Sequence, residues 1–213
     1  MVETQPQFLT VEHGGNARRI AYLVRESGRP DGLGLIWLPG LKSDMISTKA
    51  AALAEWAAPR DIGMTRFDYS GHGRSDGIFE DATVGDWLSE ARAVFTKLTK
   101  GPQILVGSST GGHVALLLLR EMLKTAPEEA ARIRALVLIA PAWDLTEELM
   151  WNAFDAEARR DIIEKGVFHR PSDYGEPYAI TREFIEEGRN HLFKGEPFDP
   201  GRPVVILQGV MDK

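Results

Sequence analysis

Residues 103 to 119 read Gln-Ile-Leu-Val-Gly-Ser-Ser-Thr-Gly-Gly-His-Val-Ala-Leu-Leu-Leu-Leu, and they give the clearest indication of the fold. A short apolar run, a cluster of small residues and a longer apolar run predict a strand, a sharp turn and a helix. A G-x-S-x-G pentad, 107 to 111, forms the turn, and its serine needs tiny neighbours so that strand and helix can approach. Gly107, Gly111 and Gly112 meet that need, so Ser109 is the candidate nucleophile. The alternative is an ordinary glycine-rich connection that holds a phosphate at the helix N-terminus.

The rest of the chain alternates strands and helices. Two strands are predicted around the turn at residues 13–16, and an amphipathic helix at 84–98. Alternation of this kind predicts a mostly parallel sheet with helices on both faces. Buried strands are expected at 33–38 and 134–139, and further strands at 63–67 and 203–207.

The polar residues of interest follow the carboxyl ends of these strands, where ligands bind in open α/β sheets. His72, Ser109, Asp144 and Asp212 each come shortly after a predicted strand, and Leu41 follows another. A non-catalytic protein is not expected to place so many polar residues at the carboxyl ends of its strands. This convergence favours a catalytic site.

Composition excludes several classes of function. The chain has 213 residues and a net charge of −6, which argues against a nucleic-acid surface. It has no cysteine, which removes disulfides and thiolate metal sites. The N-terminus shows no secretory signal and no apolar run is long enough to span a bilayer, so we expect a soluble, intracellular, cytoplasmic protein.

Four segments carry a resemblance to the α/β-hydrolase superfamily, and they occur in that family's order. The subgroup that it most resembles contains the mitochondrial mycophenolic acyl-glucuronide esterase, also described as a palmitoyl-protein thioesterase. The resemblance implies an α/β-hydrolase fold. Short amphipathic stretches rich in charge and aromatics from about residue 146 to 193 indicate a helical cap inserted at 143–199, in a core formed by 1–142 and 200–213. The four segments are Leu38-Pro39-Gly40-Leu41, Asp68-Tyr69-Ser70-Gly71-His72-Gly73-Arg74-Ser75, Gly107-Ser108-Ser109-Thr110-Gly111-Gly112 and Leu207-Gln208-Gly209-Val210-Met211-Asp212.

The resemblance also implies roles for individual residues. Ser109 would be the nucleophile and Asp212 the acid that orients a histidine, with Asp144 as a competitor for the acid. The backbone N–H groups of Leu41 and Thr110 would form the oxyanion hole. Pro39 departs from the common His-Gly form of this loop, but a backbone donor survives such a change. No cofactor and no metal is expected.

The general base is missing from this sequence. The family places a histidine one strand beyond the acid, whereas this chain ends at Lys213. We therefore expect the residues to be part of a longer chain, C-terminally truncated and nearly inactive alone. His72 is expected to brace the loop beside the oxyanion hole, and His191 could in principle swing over the site.

The predicted activity is hydrolysis of a small-molecule carboxylic ester or acyl thioester through an acyl-enzyme. Four aromatic residues of the insertion are candidates to line the acyl pocket, or simply to pack the cap onto the sheet: Trp143, Trp151, Phe154 and Phe168. A non-catalytic binding protein on the same fold, or a peptidase or C–C hydrolase, remains an alternative. The sequence leaves the oligomeric state open.

Overall fold

A computed structural model describes residues 5–171 and 177–210 of the chain. A seven-stranded sheet runs through the centre in the order β1-β2-β4-β3-β5-β6-β9, and helices pack on both of its faces. Its members in chain order are β1 (Gln7–His13), β2 (Asn16–Arg25), β3 (Gly34–Leu38), β4 (Gly63–Phe67), β5 (Gln103–Ser108), β6 (Ile133–Ile139) and β9 (Val204–Leu207).

The sheet is antiparallel at one edge and parallel elsewhere. β1 pairs with β2 and β2 with β4 in antiparallel register, whereas β3, β4, β5, β6 and β9 run parallel. The carboxyl ends of β3, β4, β5 and β6 therefore meet along one edge. This mostly parallel sheet is the one that the sequence predicts.

In the part of the chain that the structure describes, six α-helices connect or cover the strands. They are α1 (Thr48–Ala57), α2 (Val84–Leu98), α3 (Thr110–Thr125), α4 (Pro127–Ala130), α5 (Ala156–Lys165) and α6 (Arg182–Gly188). A capping box begins α2: the Thr83 hydroxyl accepts from the backbone N–H of Asp86, whose carboxylate accepts from the N–H of Thr83. No helix within residues 5–171 and 177–210 is long and apolar enough to cross a membrane.

Alternating side chains of the strands divide the core between the two faces. Ile36 and Leu38 of β3 join α2 and α3 in the larger cluster, while Leu35 and Trp37 meet α1 on the opposite face. This alternation buries β3 completely, because each face of the strand carries a helix layer.

The segment after β6 is more varied than the helical insertion expected from the sequence. A π-helical turn, Leu145–Trp151, precedes α5, and a hairpin of β7 (Val167–Arg170) and β8 (Tyr178–Thr181) lies between α5 and α6. The prediction missed the hairpin because each strand is only four residues long. Ile162, Ile180 and Phe184 of this segment share the larger core cluster with α2 and α3.

Candidate active site

Ser109 lies at the tip of a strained turn between β5 and α3. Its backbone has φ 52° and ψ −118°, a conformation that is costly for a residue with a Cβ. The Ser109 N–H donates to the carbonyl of Ile139, and its carbonyl accepts from the N–H of Ala142. β6 and the turn after it therefore hold this backbone in place, and the side chain stays partly exposed.

The positions of the glycines around Ser109 leave no room for a Cβ atom. A Cβ on Gly111 would lie 2.0 Å from the carbonyl oxygen of Leu38, and one on Gly107 would lie 2.4 Å from the carbonyl oxygen of Gly111. A Cβ on Gly112 would approach Pro141 to 2.9 Å. Strand, helix and the neighbouring β3 are thus in backbone contact at the turn, as an elbow that presents a serine requires.

The loop after β3 lies directly beside the elbow. A Cβ on Gly40 would come within 3.1 Å of the carbonyl oxygen of Ser108 and 3.3 Å of the Ser109 Cβ. Next in the chain is Leu41, whose side chain packs on the larger core cluster. Within the described residues, no acceptor is recorded for the backbone N–H of Leu41 or of Thr110. Thr110 is next to Ser109 in the chain and Leu41 follows Gly40, which lies beside Ser109, so both amides remain candidates for an oxyanion hole.

His72 braces that loop, as expected from the sequence. Its Nε2 accepts a 3.1 Å hydrogen bond from the N–H of Lys42, and its Nδ1 lies 3.0 Å from the carbonyl of Ser70. Nδ1 must therefore carry the proton, because Nε2 is the acceptor. Burial lowers the pKa of His72, more than the Ser70 carbonyl raises it, which keeps the ring neutral.

Asp68 holds the same loop from its other end, a role that the sequence analysis missed. Its buried carboxylate accepts from the backbone N–H of Met45 at 2.7 Å and of Arg74 at 2.9 Å. Burial raises the pKa of this carboxyl, and the two backbone donors oppose that rise. A charged residue directly after a buried strand is the signal that could have identified it.

None of the five histidines, all within the described residues, hydrogen-bonds the Ser109 hydroxyl. His113 is 2% exposed and packs on the ring of Phe193, with ring centroids 5.8 Å apart. His191 contacts the carboxylate of Glu187 and so is already paired. The structure thus does not supply a base from the histidines of this chain.

Of the two candidate acids, the structure describes only Asp144. Asp212 lies outside the described residues. Asp144 is 3% exposed, and its carboxylate accepts from the backbone N–H groups of Phe193 at 2.7 Å and Lys194 at 2.9 Å. Each carboxylate oxygen of Asp144 therefore accepts a backbone hydrogen bond, and these bonds stabilise the turn at residues 193–194.

The four aromatic candidates do not form one wall. Trp143, one residue after the Ala142 amide that bonds Ser109, is 37% exposed and lies against Phe193 with centroids 4.4 Å apart. Phe154 and Phe168 pack edge-to-face on each other at 5.3 Å. The ring of Trp151 lies beneath the guanidinium groups of Arg159 and Arg189. Trp143 is the one of the four that adjoins the elbow.

The arrangement suits attack by a hydroxyl on a carbonyl. A partly exposed serine hydroxyl can attack a carbonyl carbon while two backbone N–H donors beside it stabilise the charge that develops on the carbonyl oxygen. Donors of this kind act best when they are fixed beforehand, and His72 and Asp68 fix the loop that carries Leu41.

Comparisons with known proteins identify the family of this chain. The family model described as "Serine aminopeptidase, S33" matches residues 37–167. The human protein named palmitoyl-protein thioesterase ABHD10, mitochondrial, is 36% identical over 181 residues, which cover 84% of this chain and 56% of that protein. The chain thus spans a little over half the length of this relative. Its name places it in mitochondria, whereas the sequence analysis predicts a cytoplasmic protein.

Two solved structures are similar to this chain in fold as well as in sequence. A protein from Agrobacterium vitis S4 is 42% identical with a TM-score of 0.91, and the match covers 96% of this chain and 78% of that one. Alpha/beta hydrolase domain-containing protein 10 from mouse is 31% identical with a TM-score of 0.78, covering 95% and 77%. The chain therefore belongs to the α/β-hydrolase superfamily, to the serine aminopeptidase family within it and to the subgroup that includes ABHD10.

Proposed function

We propose that the protein containing this chain is a serine hydrolase that cleaves carboxylic esters or acyl thioesters through an acyl-enzyme. The single observation that carries the proposal is the backbone of Ser109, held at φ 52° and ψ −118° with a partly exposed side chain beside the Gly40–Leu41 loop. A strained conformation of this kind is retained where it serves a function.

In the proposed reaction, the Ser109 oxygen attacks the acyl carbon and its proton passes to a histidine base. The N–H groups of Leu41 and Thr110 donate to the carbonyl oxygen as it gains charge. Collapse of the tetrahedral intermediate breaks the bond to the alcohol or thiol, which leaves with the proton from the base. Water then repeats the attack and releases the acid. Asp212 would orient the base, which the family resemblance implies to follow it in the full-length protein.

The ester or thioester class is supported by the names of relatives. Palmitoyl-protein thioesterase is the printed name of the human relative, and the whole-protein activity of this chain rests on that similarity. We also propose that residues 143–199 form a cap over the elbow and contribute to the acyl pocket. Trp143, at the start of that segment, is our candidate for contact with the acyl group.

The test is covalent labelling of the full-length protein by a fluorophosphonate, which reports an activated serine. We expect labelling of the wild type and of Ser108→Ala, and none of Ser109→Ala. Ser108 is the matched control because it is the preceding serine and is buried. Absence of labelling in the folded wild type would favour a non-catalytic binding protein on this fold.

A peptidase is a second candidate, favoured by the description of the matching family model. Three substrates that share one acyl group, as an oxygen ester, a thioester and an amide, separate the two. We expect turnover of the ester and thioester to exceed that of the amide, because the alkoxide and thiolate leave more readily than an amine. Preferential cleavage of the amide would establish the peptidase instead.

A further inference from the structure

A cavity of about 420 Å³ opens on the α1 face of the sheet, away from the elbow. β2 and β4 form its floor and α1 forms one wall, with the Met45–Ile46 segment at its edge. None of the described residues 39–42 or 107–112 lines it. Its volume lies within the range of small-molecule sites, roughly 300 to 1,000 Å³.

The floor of the cavity alternates apolar and cationic side chains. The antiparallel register of β2 and β4 sets Leu23 beside Arg66 and Arg25 beside Met64. All four residues line the cavity, since alternate positions of a strand face the same side. The α1 wall adds small apolar groups, including Ala54.

The two cations of the floor have no carboxylate partner. Arg66 donates to the carbonyl of Met45 at 3.2 Å and Arg25 donates to the carbonyl of Ile62, and neither forms an ion pair with any described acidic residue. Burial lowers the pKa of Arg66, because the charged guanidinium is partly removed from water. A half-buried cation in this state is stabilised by an anion.

The charged residues of the lining favour an anion. Three arginines line the cavity, Arg25, Arg66 and Arg74, against one carboxylate residue, Glu55. The lining is therefore net positive, within a chain whose net charge is −6.

We propose that this cavity binds an amphipathic carboxylate, with the headgroup on Arg66 and Arg25 and a short apolar chain along Leu23, Met64 and Ala54. A planar guanidinium pairs with a carboxylate through two hydrogen bonds, which a neutral alcohol cannot replace. Met45 joins the site to the catalytic loop, because its carbonyl accepts from Arg66 while its N–H donates to Asp68.

The experiment is a titration of the protein, ¹³C-labelled at its methionine methyl groups, with octanoate and with octanol. Met45 and Met64 contact the cavity, whereas Met122 and Met150 are buried elsewhere and serve as internal controls. We expect saturable shifts of the Met45 and Met64 signals with octanoate and at least ten-fold weaker binding of octanol. This titration measures binding and needs no turnover, so its result is independent of the hydrolase proposal.

Three variants complete the test. Arg66→Gln should weaken octanoate binding about ten-fold, and Ala54→Leu should do so by filling the apolar part. Arg60→Gln, which removes an exposed cation outside the cavity, should change nothing. Unshifted Met122 and Met150 signals show that each variant is folded. Equal binding of octanol and octanoate, unchanged binding in Arg66→Gln and Ala54→Leu, or no shift at Met45 and Met64 would each overturn the proposal.

Discussion

The backbone N–H of Lys42 donates a 3.1 Å hydrogen bond to Nε2 of His72, one residue beyond the predicted oxyanion donor of Leu41. The other ring nitrogen of His72 is held by the carbonyl of Ser70, whose own N–H donates to the buried carboxylate of Glu90. A chain of hydrogen bonds thus connects α2 with the loop beside Ser109. We infer that this chain keeps the Leu41 amide in place.

The first prediction concerns His72. His72→Ala removes the acceptor of the Lys42 N–H, so turnover of the full-length enzyme should fall about ten- to a hundred-fold with little change in KM. His72→Gln should recover part of the loss, because its side-chain oxygen can reach the position of Nε2. A loss confined to KM, or no rescue by Gln, would argue against a positioning role.

The second prediction concerns Gly111. Gly111→Ala should destabilise the protein by about 3 kcal/mol, because its Cβ would meet the carbonyl of Leu38 at 2.0 Å and neither backbone can yield cheaply. Urea denaturation measures the change. Gly28→Ala is the control, since its Cβ would meet only the Asp61 carboxylate at 3.3 Å. Equal stability of the two variants would show that strand and helix are not in close contact at the elbow.

The third prediction separates Asp144 from Asp212 as the catalytic acid. Asp144→Asn loses part of the charge-assisted bonding to the Phe193 and Lys194 amides, so the free energy of unfolding should drop by about 2 kcal/mol. Its turnover should stay within a few-fold of wild type. Asp212→Asn should instead lower turnover by about 10⁴ with the fold intact, by analogy with other triads. The reverse pattern would assign the acid to Asp144.

The fourth prediction is a pH dependence of stability that originates at His113. Burial, opposed by the nearby charge of Asp144, lowers the pKa of His113 from 6.5 to about 4. The unfolded chain therefore takes up this proton first as pH falls, so the stabilisation present above pH 6.5 is lost as pH falls towards 4. Between pH 7.5 and 4.5 the loss should be on the order of 2 kcal/mol.

The measurement compares wild type with His113→Leu by urea denaturation at both pH values. Burial also raises the pKa of Glu90, to about 7, which acts in the opposite direction. That carboxyl titrates in both proteins, so its effect cancels in the difference between them. A wild-type-minus-variant difference that does not depend on pH would contradict the assignment to His113.

Much of the architecture could be predicted because its signals are local. The continuous apolar runs at β3 and β5 indicate strands buried on both faces, and the stripe of α2 indicates a helix with one buried side. The glycines at 107, 111 and 112 indicate the elbow, since only small residues allow backbones to touch there. The hairpin of β7 and β8 was missed because four-residue strands have no pattern that separates them from loops.

The candidate nucleophile could be identified from the amino-acid sequence alone, because the strained backbone of Ser109 requires small neighbours and these are adjacent to it in the chain. The roles of Asp144, Asp68 and Arg66 became visible in the folded protein and not before. Asp144 holds a turn 49 residues away, and Asp68 ties two loops together. Arg66 remains without a carboxylate partner among the described residues, at the floor of a cavity. The free energy of a buried charge depends on how far it lies from its hydrogen-bonding and charged partners. Those distances are set by the fold and cannot be read directly from the order of residues along the chain.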